Sequence, residues 1–291
     1  MIFCALSLTP WMNTLAGAPA WARSLAFFAL WILLWLPLAV PLARGLAWRP
    51  GQPLAPSQKI AFVVSLYGVA LPLLWGMTRL PAASWAVYGL PGSTAFWLAG
   101  VAGVGWALLS LVVVFAAESA AGWLLWRPEN SHRLLASALP ILGLALGISW
   151  TEEAIFRGLL LTWLAADFGW LVAAGVVSLI FALSHLLWEQ QDTWPQLPGL
   201  VLMGLVLAWA RWLVGGHLGL AWGLHAGWIW GLTCLDTAAL MQYRDRAPAW
   251  VVGRGGQPLA GLAGLLCLGL TAAVLTGIYG PALGPAPWMT P

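Results

Sequence analysis

Charge is what this sequence has least of. Asp, Glu, Lys and Arg together make up 7% of its 291 residues, against about 25% in an ordinary soluble domain. So few charges cannot coat a water-facing surface, and surface-to-volume scaling excludes a soluble protein built round one very large core. Lysine is nearly missing: Lys59 is the single one, and the formal net charge is only +3. With no basic cluster or aromatic-basic stripe, nucleic acid is excluded as a partner. Cysteine is scarce as well. Cys4, Cys234 and Cys267 lie far apart with no CxxC spacing, so neither a disulfide framework nor a thiolate metal site is indicated, and the three read as buried small hydrophobes. No positive segment precedes the first apolar stretch, so a cleaved signal peptide is not expected.

What the chain does have is apolar sequence, 62% of it, together with 23 tryptophans. Indoles favour the membrane–water boundary, where ring and N–H are both satisfied. Runs near the length needed to span a bilayer, about 20 residues, occur at Leu25–Leu42, Ile60–Met77, Ala95–Ala117, Leu134–Trp150, Leu171–Leu187, Leu200–Val214, Leu218–Leu235 and Leu259–Ile278. The expectation is an all-α, polytopic transmembrane helical bundle of about eight spans. A ninth arises if the chain breaks near Thr151, where the apolar stretch Ala154–Ala166 follows. The protein is then a multi-pass integral membrane protein (of the plasma membrane in a bacterial host) whose first partner is the lipid bilayer. Residues 1–133 would then supply N-terminal spans, and 236–291 a loop and the last span.

Most charges fall between these runs, and the exceptions are informative. Glu152, Glu153 and Arg157 lie between apolar segments. Each costs roughly 2.5–3.5 kcal/mol near a helix centre on insertion scales, so they need partners, water or a purpose. Glu153 and Arg157, at i,i+4, can pair on one face, and Glu152 points about 100° away. The competing reading is a helix start at an interface, with Thr151 as N-cap and both Glu favoured by the dipole. Late in the fifth run, Phe181 and His185 share a helix face; a single His there is more commonly hydrogen-bonded core than a ligand. In the seventh, Gly215, Gly219, Gly223, Gly227 and Gly231 form a row that lets a neighbouring backbone approach closely. His217, Ala221, His225 and Ile229 form a second row that turns His225 elsewhere.

The order and spacing of Glu152-Glu153-x-x-x-Arg157, Phe181-x-x-x-His185 and His225 resemble the CPBP intramembrane proteases, the CAAX prenyl endopeptidase relatives and bacteriocin-processing proteins. The resemblance covers roughly Leu134 to Leu235, which makes 134–235 the catalytic core. It implies an intramembrane endopeptidase acting on a membrane-associated protein or peptide, lipidated where the host prenylates proteins. The sequence departs from the family at Ile229, where an Asn usually follows the last His by four residues. An apolar side chain cannot donate to a developing oxyanion. Trp228, Trp230 or a backbone group then takes that task, or the activity is altered or lost.

Two chemistries fit the resemblance. In one, Glu152, His185 and His225 hold a zinc ion with a position left for water. In the other there is no cofactor: Glu152 is general base on water, His185 assists, and His225 polarises the scissile carbonyl. Arg157 holds Glu153 in both. The metal-free version needs nothing beyond the residues themselves. Outside hydrolysis, the same helices could form a non-catalytic scaffold, immunity or folding factor, or relay protons as a transporter does.

Overall fold

Inside a bilayer the backbone has no water to bond, so apolar runs must satisfy their N–H and C=O groups internally and become helices. The computed structural model describes residues 9–49, 51–187 and 190–280; Cys4 lies outside them. After α1 (Thr9–Gly17) and α2 (Ala20–Gly45), α3 (Pro56–Met77) opens on a proline, whose missing N–H is needless there, with the Ala55 N–H donating to Gln58 Oε1 at 2.9 Å. α4 (Thr94–Ala120) is capped by Ser93, whose Oγ accepts the Phe96 N–H at 3.3 Å. Past a short strand, β1 (Leu124–Trp126), α5 (Ser131–Glu153) runs into a π-helical turn, Ala154–Leu160, and on into α6 (Leu161–Phe168). Gly169, at φ 77°, reverses the chain into α7 (Trp170–Ser184) by adopting backbone that L side chains rarely take. The short α8 (Gln190–Thr193) leads to α9 (Leu197–Leu213) and α10 (Gly219–Thr237). Then come β2 (Met241–Tyr243), α11 (Ala249–Val252) and α12 (Leu262–Tyr279).

The fold is an all-α membrane bundle. Large apolar side chains such as Val101, Leu135 and Leu171 point outward on the long helices, as lipid-facing residues do. Among the described residues seven helical stretches are long and apolar enough to cross a membrane, one fewer than the eight runs. The difference is Leu218–Leu235. It is a complete helix, α10, but its glycines, His225 and tryptophans dilute its apolarity, and it lies buried against α4 and α5. The ninth span does not arise either. α5, the π-turn and α6 belong to one helical stretch of 41 residues, Pro128–Phe168. Thr151 is therefore no N-cap; it sits mid-helix, its Oγ1 donating to the Gly147 carbonyl at 2.9 Å.

The glycine row forms the α4–α10 seam from Gly219 onward. A Cβ at Gly227 would come 2.6 Å from Ala107 Cβ, one at Gly103 would come 2.6 Å from the Leu220 carbonyl oxygen, and one at Gly223 would run into the Gly100 carbonyl. Gly215 belongs to the preceding turn, as does His217. Several indoles serve between helices rather than at a boundary. Trp222, Trp228 and Trp230 on α10 donate to Leu146 O, Ser110 Oγ and Ala138 O at 3.0, 3.0 and 2.9 Å. β1 and β2 pair antiparallel with Leu125 opposite Gln242, and Tyr243 donates to Glu118 Oε2 at 2.9 Å, closing the bundle at that end. Cys234 and Cys267 are free and buried.

Candidate active site

The site is built where the helix is wound wrongly. A π-turn displaces carbonyls from the ordinary i→i+4 ladder and commonly marks a functional position. Here the buried Arg211, in the last turn of α9, takes them up. Its Nη1 donates to the Arg157 carbonyl, to Gly158 O at 3.4 Å and to Thr162 Oγ1 at 3.1 Å. Its Nε donates to Gly216 O at 2.7 Å and its Nη2 to Val87 O at 3.4 Å. One guanidinium thus binds the π-turn to the α9–α10 turn and to the loop before α4. Gly158 lacks a side chain because a Cβ would come 2.9 Å from the Tyr88 carbonyl oxygen of that loop.

The last turn of α5 and the π-turn present Glu152, Glu153 and Arg157 inward. Glu153 and Arg157 are fully buried, His225 and Glu152 nearly so. Arg157 Nη1 bonds Glu153 Oε1 at 2.9 Å, the predicted i,i+4 pair. The same oxygen takes His225 Nδ1 at 2.8 Å, and His225 Nε2 lies 3.5 Å from Glu152 Oε2. The other Glu152 oxygen accepts a hydrogen bond from the hydroxyl of Tyr67 on α3. A continuous polar chain therefore runs Arg157–Glu153–His225–Glu152–Tyr67 through an apolar interior. The Phe181 ring packs beneath it, 4.1 Å from the Arg157 guanidinium carbon and 5.8 Å between centroids from His225. Glu153 Oε2, Arg157 Nε and Arg157 Nη2 are buried without hydrogen-bond partners among the described residues.

Four of the five expected site residues, Glu152, Glu153, Arg157 and His225, thus come together. The fifth, His185, caps the C-terminus of α7 half-buried. Its ring lies 4.7 Å from Phe181, and its Nδ1 meets the Phe181 carbonyl oxygen at 2.8 Å. A carbonyl only accepts, so Nδ1 carries the hydrogen and a neutral ring keeps Nε2 as an acceptor. His185 makes no hydrogen bond or ion pair with either carboxylate among the described residues. Nor, among those residues, is any group of three His, Cys, Asp or Glu arranged to hold a metal ion. Glu152, His185 and His225 therefore do not form a zinc-ligand cluster in this geometry.

At Ile229 the structure narrows the alternatives. The Trp228 and Trp230 indole N–H groups are already bonded to α4 and α5, so neither is free to face a substrate at the cluster. The sequence reading missed Tyr67 and Arg211. Tyr67 did carry a signal: it is one of only four tyrosines, and it stands in the middle of an apolar run rather than at its edge.

Residues 133–231 fit the family described as Type II CAAX prenyl endopeptidase Rce1-like. Neither the curated proteins nor the solved structures contain a match to the chain.

Proposed function

We propose, from the match of residues 133–231 to the Rce1-like family of type II CAAX prenyl endopeptidases, that this membrane protein hydrolyses a peptide bond with Glu152 as general base. The observation that carries the reading is the buried chain Arg157–Glu153–His225–Glu152. Arg157 fixes Glu153, and Glu153 fixes the His225 ring by its Nδ1–H. Nε2 is thereby aimed at Glu152 and at whatever lies against it. Both groups facing His225 are carboxyl oxygens, which accept when ionised. Each ring nitrogen therefore has an acceptor opposite it, and a hydrogen on Nε2 is directed at Glu152. Such a ring polarises a scissile carbonyl while Glu152 draws a proton from water. His185, with Nε2 available as an acceptor, assists in holding that water.

No step needs a metal. The substrate we infer is a membrane-associated protein or peptide. The family's name suggests one ending in a prenylated cysteine and three further residues.

Glu152→Gln tests the assignment in the purified full chain, reconstituted in nanodiscs and given a fluorogenic peptide with that lipidated ending. A general base contributes about 10²–10⁴-fold, and a loss of that size is expected. Undiminished cleavage by Glu152→Gln removes the reading. Activity abolished by chelation and restored by zinc replaces it with the metal version. A second reading, a scaffold that keeps the protease architecture, is favoured by Ile229 and by the engaged Trp228 and Trp230. It predicts a Glu152→Gln phenotype indistinguishable from wild type.

A further inference from the structure

Beside His225, hydrolysis calls for a second donor to the oxygen that becomes negative, and α10 offers none one turn further on, where Ile229 is apolar and its indole neighbours are bonded elsewhere. A donor stands at the site on a different helix. Tyr67 lies on α3, outside the segment matched to the protease family, and its hydroxyl bonds Glu152 Oε1. The ring is held in place. Trp31 of α2 stacks on it, with centroids 6.2 Å apart and planes 27° from parallel, and the Trp31 indole donates to the Leu66 carbonyl at 2.8 Å. A tyrosine fixed in this way costs little to order and points its single O–H at the one group whose charge changes in the reaction.

We propose that Tyr67 is a catalytic hydrogen-bond donor that passes from Glu152 to the substrate oxyanion during attack; this rests on Glu152 being the base. Before reaction the Tyr67 O–H donates to ionised Glu152. As water adds, an O–C bond forms, one water O–H breaks and its proton goes to Glu152, while the carbonyl π pair moves onto oxygen. Glu152 is now neutral and the weaker acceptor, and the negative charge sits on an oxygen bonded to the carbon that Glu152's own water has attacked. Reacting atoms in such an arrangement are about 3–3.5 Å apart, so this oxygen is within a hydroxyl's swing of the Glu152 carboxyl. The Tyr67 O–H turns to it without giving up its proton. On collapse the C–N bond breaks, the oxyanion returns its pair to the carbonyl, and Glu152 hands its proton to the leaving nitrogen. The recharged carboxylate then takes the Tyr67 hydrogen bond back. The donor follows the charge, and the site stays satisfied in both states.

Tyr67→Phe removes the hydroxyl and keeps the ring stacked on Trp31. In the full chain in nanodiscs, with the fluorogenic lipidated peptide as probe, kcat is expected to fall about 100-fold, the usual loss for one oxyanion donor. A phosphinic analogue of that peptide, which mimics the tetrahedral oxyanion, should lose affinity by the same factor as kcat/KM. An uncleavable N-methyl amide of the same sequence should bind as it does to wild type, which also reports an intact site. A kcat within about threefold of wild type overturns the inference. So does unchanged phosphinic affinity, which makes Tyr67 a positioning residue for Glu152, or lost affinity for the amide, which makes it structural. Glu152→Gln is assayed alongside. Normal cleavage there fails the base assignment itself, whereas a dead Glu152→Gln with an active Tyr67→Phe fails the tyrosine alone.

Discussion

Arg157 shows how the cluster is held, because each of its neighbours depends on it. Glu153 is shared between Arg157 and His225 through one oxygen, and all three side chains are buried. Removing one partner of a buried pair costs about 3–5 kcal/mol, because the other charge is left stranded, while replacing both is far milder. Arg157→Met is therefore expected to lower the melting temperature sharply in detergent, and Arg157→Met with Glu153→Gln to recover most of the loss. Equal melting of the single and double variants would show that the pair contributes no coupling. A second residue sets an acid limit. His217, half-buried in the turn before α10, has its pKa lowered by desolvation, and its Nδ1 accepts the Gly219 N–H at 3.3 Å. The unfolded chain then binds the proton more readily, so stability contributed by His217 is present above the ordinary imidazole range and is lost as pH falls through the lowered folded value. His217→Asn keeps an acceptor for Gly219 and should flatten the fall in melting temperature between pH 7 and 5; an unchanged slope assigns it to other groups. At this scale the sequence was legible where charge sits in apolar surroundings, as at Glu152, Glu153, Arg157 and His225. Tyr67 was less so: it is a rare tyrosine in mid-run, but a phenol in an apolar helix costs too little to stand out as a charge does. Arg211 was not, because near a helix end it has the same sequence signature as a cation reaching water.

Elements meet at two places that decide the site, the π-turn and the α4–α10 seam. The i,i+4 spacing of Glu153 and Arg157 is the same in a regular helix, so no pattern marked the π-turn; only Arg211's bonds to its carbonyls reveal the need. The seam was legible from the glycine row. It places His225, since α10 approaches α4 closely at Gly223, two residues before it. Gly223→Ala drives a Cβ into the Gly100 carbonyl, which is backbone and cannot turn aside. A destabilisation of about 1–3 kcal/mol is expected for such overpacking, accompanied by lost activity as His225 is pushed from Glu152. Gly105→Ala on α4 is the control: a Cβ there meets nothing within 4 Å, and helix propensity makes it neutral or stabilising by up to about 1 kcal/mol. Equal melting temperatures for the two alanine variants would mean the helices do not press together at the seam.

In the whole molecule the site does not respect the segment that carries the family match. Glu152, Arg157, His185 and His225 lie within 133–231, but the seam partner α4 precedes it. So do Tyr67 on α3, its support Trp31 on α2, and the loop whose Val87 carbonyl meets Arg211 and whose Gly89 carbonyl accepts the Leu218 N–H at 2.7 Å. Hydropathy counts helices; it carries no information on which of them touch. That limit also produced the mismatch at α10, whose place in the interior relaxes the demand for apolarity that lipid contact imposes. A fragment of residues 131–237 keeps every motif legible in the sequence yet loses the Gly100–Gly223 contact, the Tyr67 donor and the Val87 anchor together. It is expected to run as aggregated or protease-sensitive material in detergent and to cleave nothing. Co-expression of residues 131–280 with residues 1–126 as a separate chain should give a complex that co-purifies and melts cooperatively, because the contacts then regained, those of β2, Tyr243 and Thr276 included, are between elements rather than along the backbone. A monodisperse 131–237 fragment with full activity would reassign α2, α3 and α4 to a role outside the catalytic unit, and Tyr67 with them.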